Sequence, residues 1–150
     1  MSTPIDLRRV IKNEINIIFQ KDYNYSNINI FEQKLPNPRK YENDESKIFP
    51  FVLISLEEGS IPSTSDKPTT NLFICVGVNQ DDESQPEATV LLERIILYLK
   101  ENVYFGNKYQ LSDKEIKWKI GEDEAEPFEY GVIEAEFLMP EIEQNKSLLI

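Results

Sequence analysis

Apolar residues recur at mostly three- and four-residue steps through Ile5, Leu7, Val10, Ile11, Ile15, Ile18 and Phe19. That spacing lines one face of an α-helix. Ser2 or Thr3 can cap the helix, and Pro4 stands at its start, where a missing N–H is tolerated. The helix is predicted to run to about Gln20, ended by the polar Lys21-Asp22-Tyr23-Asn24. Ile28, Ile30 and Phe31 then predict a short strand that closes near Leu35-Pro36-Asn37-Pro38. A charged loop through Asn43-Asp44-Glu45 leads into Phe49-Pro50-Phe51-Val52-Leu53-Ile54-Ser55-Leu56. This run is too short for a typical helix and rich in strand formers, with Pro50 marking its first residues.

Residues 57–70 contain Gly59, Pro62, Pro68 and several Ser and Thr, so they read as an exposed connection between two strands. The connection is longer than a hairpin needs, and long loops of this kind are commonly functional. It is therefore a candidate arm for gripping a neighbouring subunit, through Glu57, Glu58, Gly59, Ser60, Ile61, Pro62, Ser63, Thr64, Ser65, Asp66 and Lys67. Leu72 to Val78 is nearly continuously hydrophobic, which predicts a central strand buried on both faces. Ser84-Gln85-Pro86-Glu87 fits a capping box at the start of a second helix. Its apolar face would be Ala88, Leu91, Leu92, Ile95, Ile96 and Leu99, with Asn102 and Gly106 ending it. Ile116, Trp118 and Ile120 alternate with Glu115, Lys117 and Lys119, the period of a strand with one wet face. Ile133, Ala135, Phe137 and Met139 repeat that pattern before Pro140.

The predicted order is helix, strand, strand, strand, helix, strand, strand. Two helices over a mainly antiparallel sheet of about five strands bury all these apolar faces, an α+β architecture. The strand-helix-strand unit around the second helix leaves room for one parallel pair. Residues 1–142 are expected to form one domain, and 143–150 a C-terminal tail that frays or docks on another subunit.

Composition narrows the function. The chain has 150 residues and a net charge of −11, and such acidity disfavours partners that are held by clustered Lys and Arg, namely nucleic acids and anionic membranes. No apolar run approaches the length of a membrane span, and Met1-Ser2-Thr3-Pro4 lacks the features of a signal peptide. The expectation is a protein made in a cytoplasm. Histidine is absent, which excludes Ser–His and Cys–His nucleophile systems. None of the five glycines forms a phosphate-binding loop. Cys75 is the only cysteine and lies in an apolar run, so it is expected to be an inert core residue. No cofactor and no metal are expected.

Two acidic clusters, Asp81-Asp82-Glu83 and Glu122-Asp123-Glu124 with Glu126, invite a metal or catalytic reading. The first sits just before the second helix, where its charge suits the helix dipole. The second follows Gly121 and reads as a solvated turn between the last two strands. Neither has the ligand spacing of an EF-hand, and no carboxylate pair is singled out for hydrolysis. Trp118 alternates with apolar strand residues and is expected in the core. Tyr104, Phe105, Phe128 and Tyr130 flank loops, where they can pack beneath them or anchor a protein contact.

Three stretches together resemble the Mu-like tail terminator family, the tail-completion proteins of contractile-tailed phages and phage-tail-like particles. Residues 49–59 are similar to the family's strand running into an acidic, glycine-bearing loop. Leu72-Phe73-Ile74-Cys75-Val76-Gly77-Val78 through Leu91-Leu92-Glu93-Arg94-Ile95 looks like its strand, acidic loop and amphipathic helix. Glu126-Pro127-Phe128-Glu129-Tyr130-Gly131 to Glu136-Phe137-Leu138-Met139-Pro140 resembles its closing strand. The likeness spans about residues 49–142. Glu129 stands where the family pattern favours an aromatic, and residues 24–47 match nothing specific.

The resemblance implies a structural virion protein rather than an enzyme. It would form a ring, usually a hexamer of itself, in the neck region of a virion tail or tail-like particle. The ring would bind the last tail-tube subunits, stop tail polymerisation, lie close to the sheath, and present a surface to the head-tail connector protein. DNA would pass through its lumen without specific binding. Asp81, Asp82, Glu83, Glu122, Asp123, Glu124 and Glu126 are then candidate lumen-facing acids, repelling phosphates so that DNA slides. Rival readings are another phage neck or head-tail joining protein, a carboxylate-dependent enzyme, and a cytoplasmic adaptor.

Overall fold

The computed structural model describes residues 2–22, 25, 27–36, 45–63, 66–121 and 127–140. Helix α1 spans Pro4–Lys21, and the Thr3 hydroxyl caps it by accepting the Asp6 amide at 3.0 Å. Leu7, Ile11, Ile15 and Phe19 are buried and Val10 and Ile18 pack beside them. Ile5 is 54% exposed. Lying two residues before Leu7, it is rotated by about 200° from the buried stripe.

Strand β1 (Asn29–Glu32) pairs in parallel with β2 (Phe51–Ser60), entered through a short 3-10 turn at Glu45–Ile48. Strand β3 (Thr69–Asn79) runs antiparallel to β2, and helix α2 (Ala88–Glu101) follows it. The two-residue β4 (Gln110–Leu111), β5 (Lys117–Ile120) and the long β6 (Phe128–Leu138) complete the sheet. The order is β1-β2-β3-β6-β4, with β5 also on β6. The fold is α+β, with two helices on a mixed six-stranded sheet. Gln110–Leu111 is the strand not expected from the sequence; two residues are too few to show a period. The parallel pair is β1 with β2, not one around α2. Strands β3 and β5 do run the same way, but β6 lies between them and pairs antiparallel with both.

One face of the sheet carries the core. Val52, Ile54, Leu72, Ile74, Val76, Ile133, Ala135 and Phe137 are buried there beneath α1 and α2, each large aliphatic side chain contributing roughly 1.5–3 kcal/mol. Gly131 permits that approach: a Cβ on it would meet Leu92 Cδ1 of α2 at 2.6 Å. The expectation that both faces of β3 are buried is corrected. Its alternate residues Phe73 and Cys75 are only half-buried, on the opposite face, with Leu53 and Val132 as register partners of Cys75. Cys75 is thus outside the helix-covered core, although partial burial still pushes its thiol pKa up.

The expected capping box is also corrected. Helix α2 starts at Ala88 with Glu87 as N-cap, and Glu87 makes no side-chain cap bond. Ser84 is held instead in a turn, donating both its amide (3.0 Å) and its hydroxyl (2.6 Å) to Asp82 Oδ1. The turn is tied to the sheet because Gln85 Oε1 accepts the Asn79 amide at 2.7 Å. The cap comes from β6: Glu129 Oε1 accepts the Ala88 amide at 3.2 Å, while its Oε2 accepts from Gln80 Nε2 at 2.6 Å.

Candidate interaction surfaces

The arm expected over residues 57–70 is shorter as a loop and longer as a hairpin. Strand β1 opposes β2 only as far as Ile54, and β2 runs on to Ser60. Gln33, with φ of 69°, prolongs the pairing by one residue: its side-chain Oε1 accepts the Leu56 amide and its Nε2 donates to the Leu56 carbonyl. A bulge between Leu56 and Glu58 follows, and Gly59 and Ser60 then pair with Thr70 and Thr69. A bulge bends and twists the strand that carries it. Glu57, Glu58, Gly59 and Ser60 are therefore edge strand rather than loop, and residues 61–68 connect it to β3.

In this overhang Glu57, Glu58, Gly59, Ser60, Ile61, Ser63, Asp66 and Lys67 are exposed and Pro62 is half-buried. Ile61 is 84% exposed, higher than any other large hydrophobic residue among the described residues. Its neighbours across a small apolar cleft are Pro4, Pro68, Met139 and Pro140. Thr64 and Ser65 lie outside the described residues.

The expectation that Trp118 is core is overturned. The strand period is right, since Trp118 and Ile120 register with Ile133 and Gly131 on the helix-covered side. Strand β5 is, however, an edge strand beyond the cover of α2, and Trp118 is 62% exposed. Together with Leu92, Ile96, Leu97 and Ile120 it lines an apolar cleft of about 320 Å³ between α2 and β5, rimmed by Thr89, Glu93 and Lys100. Sequence reasoning missed this surface. The available signal was the Lys-Trp-Lys triplet, because lysines on a short strand mark a sheet edge.

A second, more open groove of about 800 Å³ runs between the helices past Ile17, Arg94, Leu97 and Tyr104. Its floor is a structural network. Glu14 accepts the Tyr98 hydroxyl at 2.6 Å and the Gly106 amide at 2.8 Å, while Arg94 pairs with Asp22 at 2.6 Å and lies over the Tyr25 ring. Phe105 is buried and Tyr104 is 55% exposed. Phe128 stacks on Phe49 with centroids 4.4 Å apart, and Tyr130 meets the same ring edge-on.

Asp81, Asp82 and Glu83 occupy the exposed turn after β3. Asp82 organises that turn rather than the helix, and hydrogen bonds from the Ser84 hydroxyl and amide hold its carboxyl below the usual range. Glu122, Asp123, Glu124 and Glu126, together with the tail at 143–150, lie outside the described residues. Of the candidate lumen-facing acids, the structure therefore describes only Asp81, Asp82 and Glu83. Among the described residues no group of three or more His, Cys, Asp or Glu is placed to hold a metal ion, and no helix is long and apolar enough to cross a membrane. Comparison of the chain with models of known protein families and with curated proteins finds no match.

Proposed function

We propose that this chain is a structural subunit that assembles head-to-tail into a ring, capping a phage tail tube and ending its growth. The family resemblance supplies the tail, and the bulged β2–β3 overhang supports the assembly. That overhang is the observation that carries the reading: an edge strand with Ile61 at its tip extends past the strand that covers the rest of β2. An apolar residue so exposed gains by being buried against a neighbouring subunit, and a few well-buried anchors carry most of the energy of such a contact. A closed ring needs heterologous contacts, in which each subunit offers two different patches.

In this reading the ring is a homo-oligomer, hexameric as is usual in the family it resembles, located in the neck of a tail or tail-like particle. It contacts the tube, the neighbouring sheath and the head connector, with DNA passing through. The acids of the Asp81, Asp82 and Glu83 turn face the lumen and repel phosphate. A ring structure with that turn on the outer rim would sink the lumen assignment.

Electron microscopy of particles lacking the protein tests the function. Overlong tails are expected; normal-length free tails beside unattached heads would instead identify a head-tail joining protein. Replacing residues 61–68 with an Asn-Gly turn is expected to leave a folded domain by circular dichroism with impaired ring assembly. Normal assembly and tail length in that variant would remove the arm from the interface.

A further inference from the structure

We infer that successive copies of this chain join edge to edge: the free edge of β5 in one adds as an antiparallel strand to the β2 overhang of the next, with Trp118 opposite Gly59. The inference rests on the ring reading and supplies its second patch.

A sheet edge is a row of unpaired backbone groups that another strand can join, and this sheet has two different ones. Past Ile54, no described strand pairs with the outer side of β2. The Met139 amide donates to the Pro68 carbonyl at 2.8 Å, so Pro68 faces β6 and Thr69 faces β2. Ser60, the register partner of Thr69, therefore faces β3, and the N–H and C=O of Gly59 point outward. At the opposite edge, no described strand pairs with the outer side of β5. Gly121 donates its amide to the Tyr130 carbonyl at 2.9 Å, which by alternation turns the N–H and C=O of Trp118 and Ile120 away from β6. Strand β5 runs with β3 and against β2, so a copy laid beside the next in the same orientation meets it antiparallel. Because the two edges differ, their union propagates from copy to copy, as a heterologous contact must. Trp118 is level with Ile54 in its own sheet, so the pairing displaces each copy along the strands, the stagger that a closed sheet requires.

Side chains select the register. Asn71 Nδ2 donates to Glu58 Oε1 at 3.4 Å, which places Glu58 on the sheet face without helices. Lys117 shares that face in a polar cleft with Asn71, Glu134 and Glu136, and Lys119 alternates with it. Within its own chain Lys117 has a long 3.9 Å contact with Glu115. Pairing Trp118 with Gly59 sets Lys119 opposite Glu58, an opposite-charge cross-strand pair on one face. A shift of two residues would set Glu58 against Gly121 and lose it. On the helix-covered face, where Gly59 registers with buried Thr70, the missing side chain leaves room for an indole, since an aromatic ring can cover an edge glycine. An apolar cleft of about 210 Å³ beside Gly59, lined by Pro4, Ile61, Pro68 and Met139, extends that seat. Trp118, 62% exposed in the single chain, is what the union buries.

Charge reversal in trans tests the contact. Glu58 and Lys119 are both exposed, so Glu58→Lys and Lys119→Glu chains should keep the wild-type circular dichroism spectrum. By sedimentation velocity, each alone is expected to associate about tenfold more weakly than wild type. An equal mixture should recover, because the reversed acid of one variant then meets the reversed lysine of the other. Tighter association of Glu58→Lys, or a mixture as weak as its components, overturns the edge pairing. Hydrogen exchange on assembled wild type reads the backbone directly, and it decides alone if either variant loses the native spectrum. The Gly59 and Trp118 amides should exchange at least about tenfold more slowly in the ring than in the dissociated chain. Unchanged exchange in an assembled ring overturns the edge pairing and leaves the ring reading in place, whereas a wild-type chain that is monomeric at its highest soluble concentration overturns both.

Discussion

Glu14 ties three segments together. From the middle of α1 it reaches the Tyr98 hydroxyl on α2 and the Gly106 amide in the loop beyond it. Gly106 is there because φ is +57° and because a Cβ would press on Val10 at 2.8 Å. Glu14→Ala strands two partly buried donors, each costing about 1–3 kcal/mol, so a loss of about 3 kcal/mol is expected from urea denaturation. The same junction sets a pH dependence. Burial first, and then the hydrogen bond to the Glu14 carboxylate, raise the Tyr98 phenol well above its ordinary value. The folded chain therefore keeps this proton after the unfolded chain has lost it. The contribution is complete below the unfolded value of about 10, and it is lost progressively as pH rises beyond it. Urea midpoints measured from about pH 8 to about pH 11 should fall more steeply in wild type than in Tyr98→Phe. Equal slopes would show that the phenol does not contribute.

Each element that the sequence predicted from a sustained period is present, and the differences arise where a segment is too short to show a period or where contact and cover from elsewhere in the fold decided the outcome. The α1 stripe and the β2, β3 and β6 runs are long enough for periodicity to identify them. The start of α2 was different. Ser84 and Glu87 have the right spacing for a capping box, but Asp82 and Gln85 hold the preceding turn, and the cap arrives from Glu129, 41 residues away. Spacing within one segment cannot reveal a partner on another strand. Glu129→Ala should therefore cost about 1 kcal/mol, lowering the urea midpoint with an unchanged slope, whereas Ser84→Ala should leave it nearly unmoved. The reverse ranking would restore the local box. Trp118 failed for a related reason: alternation gives the face of a strand, while cover depends on where the helix above it lies. The connection after β2 was legible as a candidate arm from Gly59, Pro62 and Pro68, but not as an edge strand, because local composition does not reveal that β1 ends opposite Ile54 while β2 runs on to Ser60.

On the scale of the whole molecule, two electrostatic effects oppose each other, and one substitution separates them. Copies of net charge −11 repel at low ionic strength, and this repulsion is screened beyond about 8–10 Å in physiological salt. Association should therefore strengthen as salt rises from near zero toward that range. The arm of the proposed ring contact adds a short-range term of its own, because Glu57 and Glu58 stand exposed on the strand that leads to Ile61. Glu57→Lys changes the net charge from −11 to −9 (−11 + 2), so long-range repulsion alone predicts tighter assembly. If these acids face basic groups of the neighbouring subunit, the new lysine meets like charge at close range, and assembly should instead weaken by about threefold to tenfold. Sedimentation at two salt concentrations distinguishes the cases. Tighter assembly of Glu57→Lys at low salt would assign the arm's acids to general solubility.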